Sequence, residues 1–115
     1  MDTGQDLIDY LVFFEVEPEV LSPEVGWYYG AKFASVRGND RIVAVIAPGD
    51  AEFSFRWWQG EILRADLNLK GVVEWRLECD TKKEVLRLKF EQAGIGHFAL
   101  QLKPEICTSW VTTWT

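Results

Sequence analysis

The chain has one histidine, two cysteines and one methionine among its 115 residues. A structural zinc site draws four ligands from Cys and His side chains. His97, Cys79 and Cys107 supply neither that number nor the usual spacing. No metal and no cofactor are expected. Cys79 falls on the apolar phase of a strand pattern, where an unpaired thiol behaves as a small hydrophobe. Long hydrophobic runs are missing as well, so nothing approaches the roughly 20 apolar residues of a membrane-spanning helix. The opening MDTGQDLIDY is acidic where a signal peptide is basic. The expectation is a cytoplasmic protein with reduced thiols and no membrane segment.

Positive charge is absent from the first 30 residues. They carry Asp2, Asp6, Asp9, Glu15, Glu17, Glu19 and Glu24 with no Lys or Arg, a local charge of −7 in a chain of net charge −6. A phosphate backbone needs a basic stripe, so nucleic acid is not an expected partner. A basic protein surface suits such a segment, because complementary fields steer encounter.

Catalytic patterns are missing too. No serine sits in a nucleophile elbow and no glycine loop cradles phosphate. Glu15, Glu17 and Glu19 alternate and would share one side of an extended segment, but no glycine-centred calcium loop accompanies them. Asp66 and Glu74 lie among Arg64 and Arg76, where ion pairing explains them without acid–base chemistry. An enzyme is not expected.

What the chain does have is aromatic residues, 16 of them, six being Trp. Apolar content is 48% and charged content 26%, the balance of a globular chain. One domain over residues 1–115 is the expectation at this length. Residues 4–14 carry Leu7, Leu11 and Phe14 at helical spacing, with Thr3 as a candidate N-cap. Pro18 and Pro23 make 15–26 an acidic linker. From residue 27 to 115 the period changes to two. WYYGAKFASVR, RIVAVIA, EFSFRWW, LRADLNLK, VEWRLECD and LRLKFE read as strands, followed by the Phe98, Leu100, Leu102 face and the CTSWVTTWT tail. Short connections between sequential strands imply an antiparallel meander. The predicted fold is mainly β (α+β), with seven or eight strands and one N-terminal helix. One short helix cannot cover so wide a sheet, so the sheet should bend strongly into a half-barrel or a small barrel.

The stretch FSFRWWQG places Phe53, Phe55 and Trp57 on one face and Ser54, Arg56 and Trp58 on the other. One tryptophan therefore stands on the polar face and needs a cover. Two covers are open: the chain's own helix and linker, residues 4–25, folded back over part of the sheet, or a partner, since tryptophan is enriched at protein interfaces. The candidate partner-binding residues are Asp6, Asp9, Glu15, Glu17, Glu19, Arg56 and Trp58. A non-enzymatic protein that engages a basic protein partner is the first reading. The alternative is a carrier of a small apolar ligand, with a cavity lined by Phe53, Phe55, Trp57, Leu67, Trp75, Leu88 and Phe98. An exposed edge strand would permit a homodimer as well as a monomer.

Two resemblances bear on these readings. Gly26-Trp27-Tyr28 after a short helix resembles the Gly-x-Trp-Tyr opening of lipocalin-type barrels, without the intervening residue; it implies the carrier. Leu88-Lys89-Phe90-Glu91 through Leu100 has a rhythm similar to small all-β bacterial immunity proteins, which bind and neutralise a partner toxin. It implies an immunity- or inhibitor-like binder.

Overall fold

The computed structural model describes residues 7–79, 84–90, 96–103 and 106–111. Among them the chain makes one α-helix, α1 (Leu7–Phe14), and nine strands. The strands are β1 (Glu19–Val20), β2 (Ala31–Arg37), β3 (Asp40–Ala47), β4 (Glu52–Gln59), β5 (Ile62–Lys70), β6 (Val72–Cys79), β7 (Glu84–Phe90), β8 (His97–Lys103) and β9 (Cys107–Val111). All pairings are antiparallel and sequential, giving a five-stranded sheet β1 to β5 and a four-stranded sheet β6 to β9. The fold is mainly β with one N-terminal helix, as the periodicities predict. The meander is divided between two sheets, and no closed barrel forms.

The division falls at Gly71. A tight hairpin needs two loop residues, and only Gly71 lies between β5 and β6. Its φ is 77°, in the left-handed region that glycine favours, and β5 and β6 do not pair. Two connections within the five-stranded sheet are two-residue hairpin turns. Arg37 pairs with Asp40 around Gly38-Asn39, and Gln59 pairs with Ile62 around Gly60-Glu61. Gly38 and Gly60 hold φ of 59° and 58° at the first loop position. The Gly60 amide donates to the Asn39 carbonyl at 2.9 Å, tying the two turns together.

The chain forms two compact units, Met1–Phe13 with Gly71–Thr115, and Phe14–Lys70. In the second unit, Phe33, Ile42, Ala44, Ile46, Phe53 and Phe55 alternate onto one face and are fully buried or nearly so. Phe14 stacks on Phe33 at 4.6 Å and Phe53 on Phe55 at 6.3 Å. β3 is the middle strand, as its nearly continuous apolar run requires. In the first unit, Leu86, Leu88, Phe98 and Leu100 are fully buried. Tyr10 meets Trp75 edge to face at 6.5 Å.

Three local readings need correction or completion. The strand expected from Trp27 begins at Ala31, because Trp27–Tyr29 form a 3-10 turn between Gly26 and Gly30, whose φ values are 94° and 148°. Tyr29 lies against Gly49, where a Cβ would stand 2.5 Å from its ring. The linker 15–26 contains β1, which pairs Glu19 with Lys32 and Val20 with Ala31. The helix is described from Leu7 to Phe14; Thr3 and the rest of 1–6 lie outside the described residues. So do the expected turn at Thr81-Lys82-Lys83, Gly94, Pro104 and Trp114.

Candidate functional site: the outer face of the five-stranded sheet and its acidic border

α1 ends at Phe14, and Glu15 follows with a left-handed φ of 60°. The helix has no basic residue in its last turn. Arg37, from the end of β2, supplies that charge. Its guanidinium donates to the Phe14 carbonyl at 3.0 Å and stands 3.6 Å from the Glu15 carboxylate. A cation at a helix C-terminus satisfies an orphan carbonyl and opposes the negative end of the helix dipole. Glu15 is thereby engaged within the fold. Asp9, Glu17, Glu19 and Glu24 are exposed. Asp6 lies outside the described residues. Leu21, Val25 and Tyr29 are also exposed.

The pairing register builds the outer face of the sheet in rows. Lys32, Val45, Ser54 and Asn68 stand side by side across β2 to β5. The next row is Ala34, Val43, Arg56 and Asp66, and the third is Val36, Arg41, Trp58 and Leu63. A register shift between Trp57 and Trp58 brings Leu63 beside Trp58, with Arg64 as the extra residue. Glu19 pairs with Lys32, so it stands on the same face as Arg56 and Trp58. The cover of Trp58 comes from within the sheet: the Arg41 guanidinium lies 4.1 Å above its ring. Arg56 donates from Nε to Asp66 at 3.2 Å. Trp57 faces the other way and donates its indole N–H to Asp40 at 3.0 Å.

Between the first two rows lies an open cleft of about 340 Å³. Val43 and Val45 line it with Lys32, Ser54, Arg56, Asp66 and Asn68. Of the expected cavity set, Phe55 and Leu67 reach its lining. Phe53 and Phe55 are fully buried on the five-stranded sheet, and Trp75, Leu88 and Phe98 are buried on the four-stranded one.

The outer face of the four-stranded sheet is a lattice of charge pairs. Glu74 reaches Arg76 at 3.1 Å and Lys89 at 3.8 Å, and Glu78 reaches Arg76 at 3.7 Å and Arg87 at 2.7 Å. The hydrogen bond from Arg87 holds the Glu78 carboxyl below the usual carboxylate range; desolvation opposes it, and the charges of Arg87 and Arg76 add to the lowering. Arg76 and Arg87 are directly opposed in register, and Glu78 bridges them. Of the two cysteines, Cys107 is a free, exposed thiol. Among the described residues, no group of three or more His, Cys, Asp or Glu side chains converges on a metal-sized site.

Three residues escape the sequence pattern. Arg41 and Lys32 become part of the site only once the register is known, since alternation gives a face and not a neighbour. The strand pattern takes in Tyr29; the signal against it is the glycine on either side of the WYY run.

No family model matches the chain, and no curated protein matches it. The fold is similar to that of a chain in a solved contact-dependent growth inhibition toxin–immunity protein complex from Klebsiella pneumoniae 342. The TM-score is 0.79 and the alignment covers 95% of each chain at 12% identity. At that identity the likeness is one of fold. No helix among the described residues is long and apolar enough to cross a membrane.

Proposed function

We propose that this chain is a non-enzymatic binding protein of the immunity or inhibitor type, which holds a protein partner bearing a basic surface. The fold it shares with a chain of a toxin–immunity complex carries this reading. The charge distribution supports it independently. Four acids of the unit that carries Trp58, Glu15, Glu17, Glu19 and Glu24, stand exposed, and Glu19 shares a sheet face with the half-buried Trp58. An acidic rim beside an aromatic centre is the common division of labour at an interface: charge sets the encounter rate and the aromatic sets the lifetime. The proposed contact residues are Asp6, Asp9, Glu15, Glu17, Glu19, Arg56 and Trp58.

The test is native mass spectrometry of the protein purified gently from its source cells. A stoichiometric protein companion is expected. Changing Asp9, Glu17 and Glu19 to their amides should then slow reassociation with that companion and flatten its salt dependence. Expressed without this chain, the companion should harm its host. A bare monomer from every preparation, or association indifferent to these acids and to salt, would count against the reading.

A further inference from the structure

Charge matching singles out one surface. Arg37, Arg56, Lys70, Arg76, Arg87, Lys89 and Lys103 each reach a carboxylate oxygen at 2.7–3.8 Å. Among the described residues, Lys32, Arg41 and Arg64 reach none. Arg64 donates instead to the neutral Gln59 side chain at 2.9 Å. All three belong to the five-stranded sheet, and Lys32 and Arg41 stand on its outer face. Glu19 faces Lys32 in register without closing an ion pair. Among the described residues of a chain of net charge −6, the cations that reach no carboxylate thus belong to one sheet, and Lys32 and Arg41 share its outer face.

Their placement is regular. Lys32 is in register with Val45, and Arg41 lies four residues back along the same strand. Four strand residues span about 13 Å. Between them Val43 and Val45 line the open cleft. Along the outer face of β3 the order is therefore Arg41, Val43, Val45, with Lys32 beside Val45; Lys32, Val43 and Val45 line the cleft, and Arg41 stands one row beyond it.

We propose that this groove takes an extended acidic segment of a protein partner. Carboxylates at positions i and i+4 of the segment reach Arg41 and Lys32, and a small apolar residue at i+2 rests on Val43 and Val45. An extended segment has the same two-residue period as the sheet beneath it, so its charges fall at the spacing of these two cations. Trp58 backs Arg41 and fixes the guanidinium in place. The inference rests on the partner-binding reading for its biological occupant, but it concerns carboxylate recognition and not the acidic border.

The probes are two capped heptapeptides, Thr-Glu-Thr-Val-Thr-Glu-Thr and the same peptide with both Glu replaced by Lys. Each is titrated into the full chain and followed by amide and indole NMR signals. The acidic peptide should shift Val43, Val45, Ser54 and the Trp58 indole saturably in the millimolar range, and less so in high salt. Binding should weaken roughly tenfold in the Lys32→Gln/Arg41→Gln variant, the size two exposed charge pairs supply together. Lys32→Gln alone leaves the Arg41–Trp58 stack intact, and it should show part of the loss. Acidic peptide that leaves these signals unmoved, or binds the double variant as tightly, overturns the groove proposal. The basic peptide reports separately on Glu17 to Glu24. Its binding there, with the acidic peptide silent, would sink the groove and leave the partner reading standing.

Discussion

At the residue scale, the two halves of FSFRWWQG settle differently. Trp57 has a polar partner for its indole in Asp40, whereas Trp58 is covered by the charge of Arg41. Alternation alone separates the two tryptophans onto opposite faces. It is silent on Arg41, because the neighbour across the strands depends on register, and register is set by turn geometry. Glu78 shows the same limit. Its charged face was legible, but its bridging of Arg76 and Arg87 was not. Its lowered carboxyl gives a direct test. The stabilisation it contributes is fully present above the ordinary carboxylate range. That contribution fades as pH falls through the lowered value in the folded state. In Arg87→Ala, the Glu78 side-chain resonance should titrate at higher pH than in the parent chain, nearer the ordinary value. An unchanged midpoint would remove Arg87 as the principal cause.

At the scale of the element, the strands were legible because each alternates cleanly, and β2 to β5 follow from turn glycines at the right offsets. The break at Gly71 was not legible as a sheet boundary. A glycine between two alternating runs looks like a hairpin until the loop residues are counted. The 3-10 turn at Trp27–Tyr29 was hidden for a related reason: aromatics favour strands, and the flanking glycines override that preference. The helix end yields a second prediction. Arg37→Met removes the donor to the Phe14 carbonyl while keeping the aliphatic stem. It should cost about 2 kcal/mol, the range of a hydrogen bond involving a charged group. Glu15→Gln should cost about 0.5 kcal/mol, because the Glu15 side chain is 47% exposed and solvent screens the pair. Urea midpoints at a fixed slope measure both. Equal losses would mean that the ion pair, and not the cap, holds the helix end.

At the scale of the whole molecule, charge is sorted by region. Among the described residues, Asp9, Glu17, Glu19 and Glu24 stand exposed, the outer face of the four-stranded sheet pairs its charges internally, and the cations that reach no carboxylate belong to the five-stranded sheet. Composition announced the first of these and concealed the third, since a net of −6 says nothing about which cations lack partners. A partner meeting both regions would need a mixed surface, basic opposite Glu17 to Glu24 and acidic opposite Lys32 and Arg41. Mispairing with a uniformly charged protein would be penalised by one region or the other.

The division of the chain into two units has a consequence for the order of assembly. Every strand of the five-stranded sheet lies within Phe14–Lys70, and each pairs with its sequence neighbour. Residues up to Phe13 belong instead to the unit completed from Gly71 onward. Tyr10 cannot meet Trp75 until a long loop has closed, and that closure costs entropy before any contact repays it. In pulse-labelled hydrogen exchange during refolding, amides of β2 to β5 should gain protection before those of α1. Early protection of α1 would reverse that order. On the ribosome, the same arithmetic means that a nascent chain stalled at Lys70 already contains one complete sheet, yet carries a helix whose Tyr10 still waits for Trp75.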